Sequence, residues 1–278
     1  MKETRAEYLA VDKLRPFDEH PFKVVDNEEM DQLTWSILTQ GLLTPLVVRP
    51  LPNGEYEVIS GHRRLHACKK AGIETVPALI YAIDRDAAAI ALVDSNLQRE
   101  HILPSEKAFA YKLKLEAMNH QGRTAGQVGQ KWTRDEIAEG ESGRQVQRYI
   151  RLTNLIPGIL QKVDEGRIAL TPAVELSYLT DAEQEDLLET MESEDCTPSL
   201  SQAIQMKTLS QSGQLDMDKI FSIMTQPKAN QQEKISFKVS ELRDFFPRHY
   251  TAAQMMQEIK MALKERQQRL ARQRDHSR

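Results

Sequence analysis

Apolar residues recur along the chain with two different periods. At helical spacing, Met30, Leu33, Ile37 and Leu38 fall on one stripe of residues 28–40, and Gly41 follows as a stop. Leu46-Val47-Val48 reads as a short strand, Pro52-Asn53-Gly54 as a turn, and Tyr56 to Ile59 as the returning strand. A helix over 62–71 closed by Gly72, a strand over 77–81 and a helix over about 86–97 complete a small mixed unit. From Pro104 onward every periodic segment is helical. Pro104, Ser105 and Glu106 suit a first turn, and Ala108, Tyr111, Leu115 and Met118 follow at helical spacing. Gln226 to Glu233 is polar and contains Pro and Asn, which marks a linker. A last module opens with the alternation Ile235-Ser236-Phe237-Lys238-Val239 and ends in a long helix after Thr251, a good N-cap. The expected fold is α+β and predominantly helical. It has a small mixed α/β domain over 1–103, an all-helical domain over 104–225, a linker over 226–234 and a strand-helix module over 235–278.

Composition narrows the class. Of 278 residues, 40% are hydrophobic and 28% charged, a balance that excludes wholesale disorder. The net charge of −4 argues against a bulk polyanion binder. That average hides segregation. Asp181 to Asp195 carries eight acids and no base, whereas Lys264 to Arg278 carries six bases and two acids. Any polyanion contact must therefore use a local basic surface. No run approaches the length of an apolar membrane span, and the first residues lack the apolar core of a signal peptide. The two cysteines, Cys68 and Cys196, support neither a disulfide scaffold nor a four-ligand zinc site. A reduced, cytoplasmic setting without membrane contact is expected.

Candidate chemistry concentrates at two turns. Ser60-Gly61-His62-Arg63-Arg64 follows a strand and opens a helix. Glycine at such a turn lets backbone approach a ligand, the helix N-terminus favours phosphate, and two arginines add bidentate donors. His62 fits a general base, a phosphate donor or a plain turn residue. Cys68, one turn on, reads as a packed small hydrophobe. Further along, Ser95, Asn96, Gln98 and Arg99 form a polar cluster at a helix end, and an Asn with a phosphate can hold a hydrated magnesium ion.

These segments resemble the boxes of the ParB-type partition proteins of plasmids and mobile elements. Ile59-Ser60-Gly61-His62-Arg63-Arg64-Leu65-His66-Ala67 is similar to the family's GERRxRA box, and Ser95 to Pro104 to its ENxQRxxLxP box. Leu14-Arg15-Pro16, His20-Pro21-Phe22, Gly41 and Pro45 to Arg49 resemble its first box. The three boxes fall in the family's order and spacing, and the likeness runs to about residue 180. The resemblance implies a ParB/sulfiredoxin-like N-domain that binds CTP and Mg2+. Gly61, His62, Arg63 and Arg64 would line the triphosphate, Asn96 would contact the metal, and Gln98 and Arg99 would complete the motif. Two of the family's carboxylates are replaced, by His62 and Ser95, which puts hydrolysis in doubt more than binding, and no catalytic residue is assigned.

Residues 133–152 read as a helix-turn-helix. Thr133 and Glu136 have capping-box spacing, residues 140–143 make the turn, and Arg144, Arg148 and Arg151 follow close to one face. Ser142, Gln145 and Gln147 join them as candidate DNA contacts, because Arg and Gln suit guanine and adenine edges. Ala138 stands too close to Gly140 for the usual first helix. Downstream, Thr171-Pro172-Ala173-Val174 replaces the family's GHAR core, which leaves the exact DNA site open. In the last helix, Ala252, Met255, Met256, Ile259, Ala262, Leu263 and Leu270 form a stripe too short for a long coiled coil. By resemblance, the chain is a CTP-switched, sequence-specific reader of double-stranded DNA. It would act as a homodimer, with a ParA-type ATPase as partner, on the nucleoid. Two other readings stay open: a transcriptional regulator without nucleotide switching, and a phosphotransferase or nuclease on the same fold.

Overall fold

Strand and helix alternate through the first hundred residues because the apolar period alternates between two and 3.6. The computed structural model describes residues 4–124, 141–226, 242–247 and 249–275. Strands β1 (Thr4–Ala10), β2 (Leu14–Pro16), β3 (Leu46–Pro50), β4 (Tyr56–Ser60) and β5 (Thr75–Tyr81) form one mixed sheet in the order β1-β5-β3-β4-β2. β1 runs antiparallel to β5 and β3 antiparallel to β4, while β5–β3 and β4–β2 are parallel. Helices α1 (Glu28–Gln40), α2 (His62–Lys70) and α3 (Arg85–Leu97) are connected through this sheet. Asn27 caps α1 and Asp84 caps α3, each through a side-chain oxygen on a backbone N–H.

The helical region follows the sequence reading closely. It comprises α4 (Pro104–Thr124), α5 (Gly143–Arg151), α6 (Pro157–Asp164), α7 (Leu170–Leu176), α8 (Asp181–Ser193), α9 (Leu200–Gln211) and α10 (Met217–Met224). Thr180 and Ser199 start α8 and α9 with reciprocal capping boxes. The acidic run lies along α8, whose Leu187 and Met191 face inward, so its acids form a solvated face. Residues 1–226 form one compact unit and 227–278 a second. In the second unit, α11 (Ala252–Asp275) begins at Thr251, which exchanges hydrogen bonds with Gln254 as a capping box. The linker beyond Gln226, the alternating segment 235–239 and the first half of the helix-turn-helix, 133–140, lie outside the described residues.

Two readings need correction. In α1, Leu38 is 58% exposed, and Thr34 takes the inward place beside Met30 and Ile37, with its hydroxyl donating to Met30 O at 2.7 Å. Helix α4 carries two apolar stripes. Ala110, Leu113 and Ala117 pack with Phe17, Phe22, Ile59 and the α3 residues Ala88, Ala89, Leu92 and Val93. Tyr111, Leu115 and Met118 pack with Val146, Tyr149 and Ile150 of α5, and Ala108 joins the main helical core. Buried Lys114 bridges to Asp94 at 2.6 Å.

Buried Gln184 organises the helical core. Its Oε1 accepts from Ile156 N at 2.9 Å, and its Nε2 donates to Asn154 O and Leu179 O at 3.0 Å each. It thus satisfies three backbone groups in the links before α6 and α8.

Candidate nucleotide site and DNA-reading helix

The turn at Gly61 has the backbone that its sequence suggested. Gly61 caps α2 at φ 104°, ψ 25°, a left-handed conformation that side-chain-bearing residues rarely adopt. A Cβ there would lie 2.6 Å from Leu46 Cδ2 and 3.1 Å from an Arg64 guanidinium nitrogen. Arg64 therefore lies against the turn. It also donates to Thr44 O and Pro45 O at 2.6 and 2.9 Å, which secures the approach to β3, and burial lowers its pKa. Arg63 is more exposed and meets Glu29 at 3.0 Å. Such a surface pair is worth under about 1 kcal/mol and is readily exchanged for a phosphate.

His62 turns inward from the same turn. Its Nε2 accepts from Phe17 N at 3.3 Å, and its ring lies 3.7 Å from that of His20, centroid to centroid. His20 Nδ1 bonds Phe22 O at 2.7 Å, and its Nε2 is buried without a hydrogen-bond partner among the described residues. Burial first, then the neighbouring His20, pushes the His62 pKa down to about 3. Burial likewise lowers His20. His62 is thus neutral at pH 7, which suits it to accept or donate a hydrogen bond but not to supply a charge.

The loop carrying His20 is pinned by carboxylates at both ends. Glu57, paired with Arg49 at 2.6 Å, accepts from Asp18 N at 3.4 Å. Glu106, in the first turn of α4, accepts from Lys23 N at 2.8 Å and from Leu103 N at 3.1 Å. Arg99, just past α3, stacks over Phe22 at 5.3 Å and has no ion pair within 4 Å among the described residues. Desolvation lowers its pKa; Glu106 opposes that and Arg63 adds to it. Arg99 therefore lies within electrostatic reach of Arg63 and of the neutral His20–His62 pair, and Glu106 offsets part of its charge.

The remaining site residues sit at the end of α3. Asn96 is 6% exposed, and its Nδ2 donates to Leu92 O at 2.8 Å and to Ser95 Oγ at 3.3 Å. Its Oδ1 accepts no hydrogen bond among the described residues and so remains a hard-oxygen donor. Gln98 is exposed. No cluster of three His, Cys, Asp or Glu residues able to hold a metal occurs among the described residues. Cys68 is fully buried in the sheet core with its thiol pKa raised by burial, which removes the thiol that the enzyme reading would use. Nothing in the local sequence pattern marks His20, Phe22 or Glu106 as site residues by its chemistry. The signal that could find them is the His20-Pro21-Phe22 box and the Glu three residues after the Leu103 cap position.

Protonation of His62 sets a stability prediction. Unfolded, it takes a proton near pH 6.5; folded, only near pH 3. Between those values the unfolded chain binds the extra proton, so stability contributed by neutral His62 is full above pH 6.5 and lost as pH falls. Wild type should lose up to about 1.4 kcal/mol more per pH unit than H62Q between pH 6 and 4. Parallel slopes in urea denaturation would refute this.

The second candidate surface is α5. Ser142 caps it by accepting from Gln145 N at 3.3 Å, and Val146 is fully buried against α4. The three arginines differ. Arg144 is exposed and has no side-chain partner among the described residues. Arg148 donates to Gln145 Oε1 at 3.2 Å and to Thr171 Oγ1 at 2.7 Å. Arg151 turns back to Ser177, donating to its hydroxyl at 3.2 Å and its carbonyl at 2.7 Å, and stacks on Tyr178 at 3.8 Å. Lys207 also lies 3.8 Å over the Tyr178 ring. Gln147 is half-buried.

The ParB N-terminal domain family model matches residues 1–97. The probable chromosome-partitioning protein ParB of Vibrio cholerae is 30% identical over 84% of this chain and 77% of its own length. The chromosome-partitioning protein Spo0J of Thermus thermophilus is 36% identical over 65% of this chain, which spans only 61% of that relative. Among solved structures, a C-terminally truncated ParB of Caulobacter crescentus, complexed with CTP-gamma-S, aligns at 25% identity and a TM-score of 0.33. That alignment covers 68% of this chain and 99% of the truncated one. Matched at 30% identity over most of its length and of its Vibrio cholerae relative's, the chain belongs to the ParB family of chromosome-partitioning proteins.

Proposed function

We propose that this chain is a sequence-specific DNA-binding partition protein whose hold on DNA is switched by CTP bound in the N-terminal domain. The observation that carries the reading is the mouth formed by the left-handed Gly61 turn, Arg63, Arg99 and the His20–His62 stack. It brings Arg63 and Arg99 together beside the start of α2, where helix N–H groups favour an anion, and Arg99 has no ion pair among the described residues. Arg63 would exchange Glu29 for phosphate, and Arg99 would close on the same anion. His20 Nε2 offers an acceptor to a nucleoside donor. Mg2+ fits this donor set as an ion held mainly by phosphate and water, with Asn96 Oδ1 as the protein ligand. It would supply charge neutralisation at the triphosphate. Gly61 and Arg64 shape the turn, and Gln98, exposed just past α3, would complete the set.

Helix α5 would enter the major groove with Ser142 at its N-terminus and Arg144, Gln145, Gln147 and Arg148 towards the DNA. Arg151, tied to Ser177, would fix the helix on α7 rather than touch bases. Family membership favours a homodimer, a ParA-type ATPase partner and a nucleoid location. No described helix is long and apolar enough to cross a membrane. The replacement of carboxylates by His62 and Ser95 favours binding over hydrolysis.

The test is the lifetime of the complex on its selected DNA, with and without CTP. Wild type should change its dissociation rate with CTP. R63A should bind DNA normally and lose that response, with CTP affinity down about 10- to 100-fold, the worth of a charge-assisted bidentate contact. A lifetime insensitive to CTP in wild type would favour the plain regulator instead.

A further inference from the structure

The segment that departs from the family's GHAR core is the one that reaches the α5 arginines. Thr171 is the second residue of α7, followed by buried Pro172, Ala173 and Val174, so its backbone is held by the core. Val146 anchors α5 in the same way. Between these two fixed elements the Arg148 guanidinium bonds Thr171 Oγ1 at 2.7 Å and Gln145 Oε1 at 3.2 Å. A guanidinium has five N–H donors, so these two bonds leave three for a ligand. Guanine O6 and N7 need two of them, in the planar fork that arginine presents.

We infer that Thr171 is a positioning residue that orients Arg148 to read a guanine in the bound DNA. This rests on the DNA-binding reading above and extends it by dividing labour among the arginines. Arg144, exposed and unpartnered among the described residues, meets the phosphate backbone. Arg151, bonded to Ser177, holds α5 to α7. Arg148 is held by a hydroxyl on the exposed start of α7 and keeps donors to spare, whereas the guanidinium of Arg151 is laid against the Tyr178 ring. Holding it before binding reduces the ordering cost of a flexible side chain at the base edge.

The test is selection of duplexes from a random pool by wild type, T171V and T171S. Valine keeps the shape and loses the acceptor; serine keeps the acceptor. T171V should lower the preference for guanine at one base-pair position, or that position and its symmetry mate, by about tenfold. Preferences elsewhere, the salt dependence of binding and the melting temperature should stay put, because Thr171 is exposed. T171S should retain the wild-type preference. The inference is overturned if T171V selects the same site with the same strength, or if preference falls equally at every position. A wild type that enriches no sequence overturns the DNA-binding reading itself, and this inference with it.

Discussion

Gly61→Val should abolish CTP binding and lower the stability of the protein by about 3 kcal/mol. The left-handed backbone costs a β-branched residue roughly 1–2 kcal/mol, and the new side chain adds an overpacking penalty of roughly 1–3 kcal/mol. The Cβ alone comes within 2.6 Å of Leu46, a fully buried side chain at the centre of the sheet core. Relief requires buried Leu46 to repack or the turn to move, and the turn also carries His62, Arg63 and Arg64. Stability and ligand binding should therefore fall together, by urea denaturation and by calorimetry with CTP. Gly61→Ala carries the same Cβ with less bulk beyond it and should lie between. A Gly61→Val protein with wild-type CTP affinity would show that the turn is not the phosphate seat.

Gln184→Leu should cost about 3–5 kcal/mol with little change in volume. The buried amide serves Ile156 N, Asn154 O and Leu179 O, and leucine serves none. Each buried backbone group left without a partner costs roughly 1–3 kcal/mol, with partial relief where water enters. At this chain length the melting temperature should drop on the order of 10 °C. Two of the three groups lie just after α5, between Asn154 and Ile156, so the DNA-reading helix should lose protection from hydrogen exchange at its C-terminal end. A loss under about 1 kcal/mol would mean that the links re-pair with water at little cost.

Much of this architecture is legible in the sequence, for identifiable reasons. Helices α1, α2 and α3 and strands β3, β4 and β5 stand within two residues of where periodicity and glycine stops place them, because each has one buried face and a clear terminator. Strand β1 was not legible. It is an edge strand in which, from Arg5 to Ala10, Leu9 alone is buried and Tyr8 is 76% exposed, so no alternation marks it. β2 is three residues long and presents only Leu14 to the core. The second stripe of α4 was hidden because two apolar faces cancel the contrast on which amphipathic patterning depends. At the candidate site, Gly61 reads directly as the tight turn that opens α2. The place of His20 was not legible, since its proximity to His62 depends on a loop pinned by Glu57 and Glu106 from distant segments. The three arginines at helical spacing looked equivalent. Only their partners on α7 separate them, and those lie about 25 residues away, outside any helical period.

Helix α4 sits at the crossing of these facts. Its Ala110, Leu113 and Ala117 close the layer over Phe17 and Phe22, next to the loop of His20, while Tyr111, Leu115 and Met118 form the bed on which α5 lies. Its first turn is clamped from both directions, by Glu106 to Lys23 and by Asp164 to the Ser105 amide and hydroxyl at 2.9 and 2.6 Å. One helix thus packs beneath both places, and it would serve as roof for the proposed triphosphate site and floor for the proposed DNA-reading helix. A rotation of that helix by a fraction of a turn would reach both ends without any relay of side chains between them, so the proposed switch would run through the architecture where the sequence shows no wire.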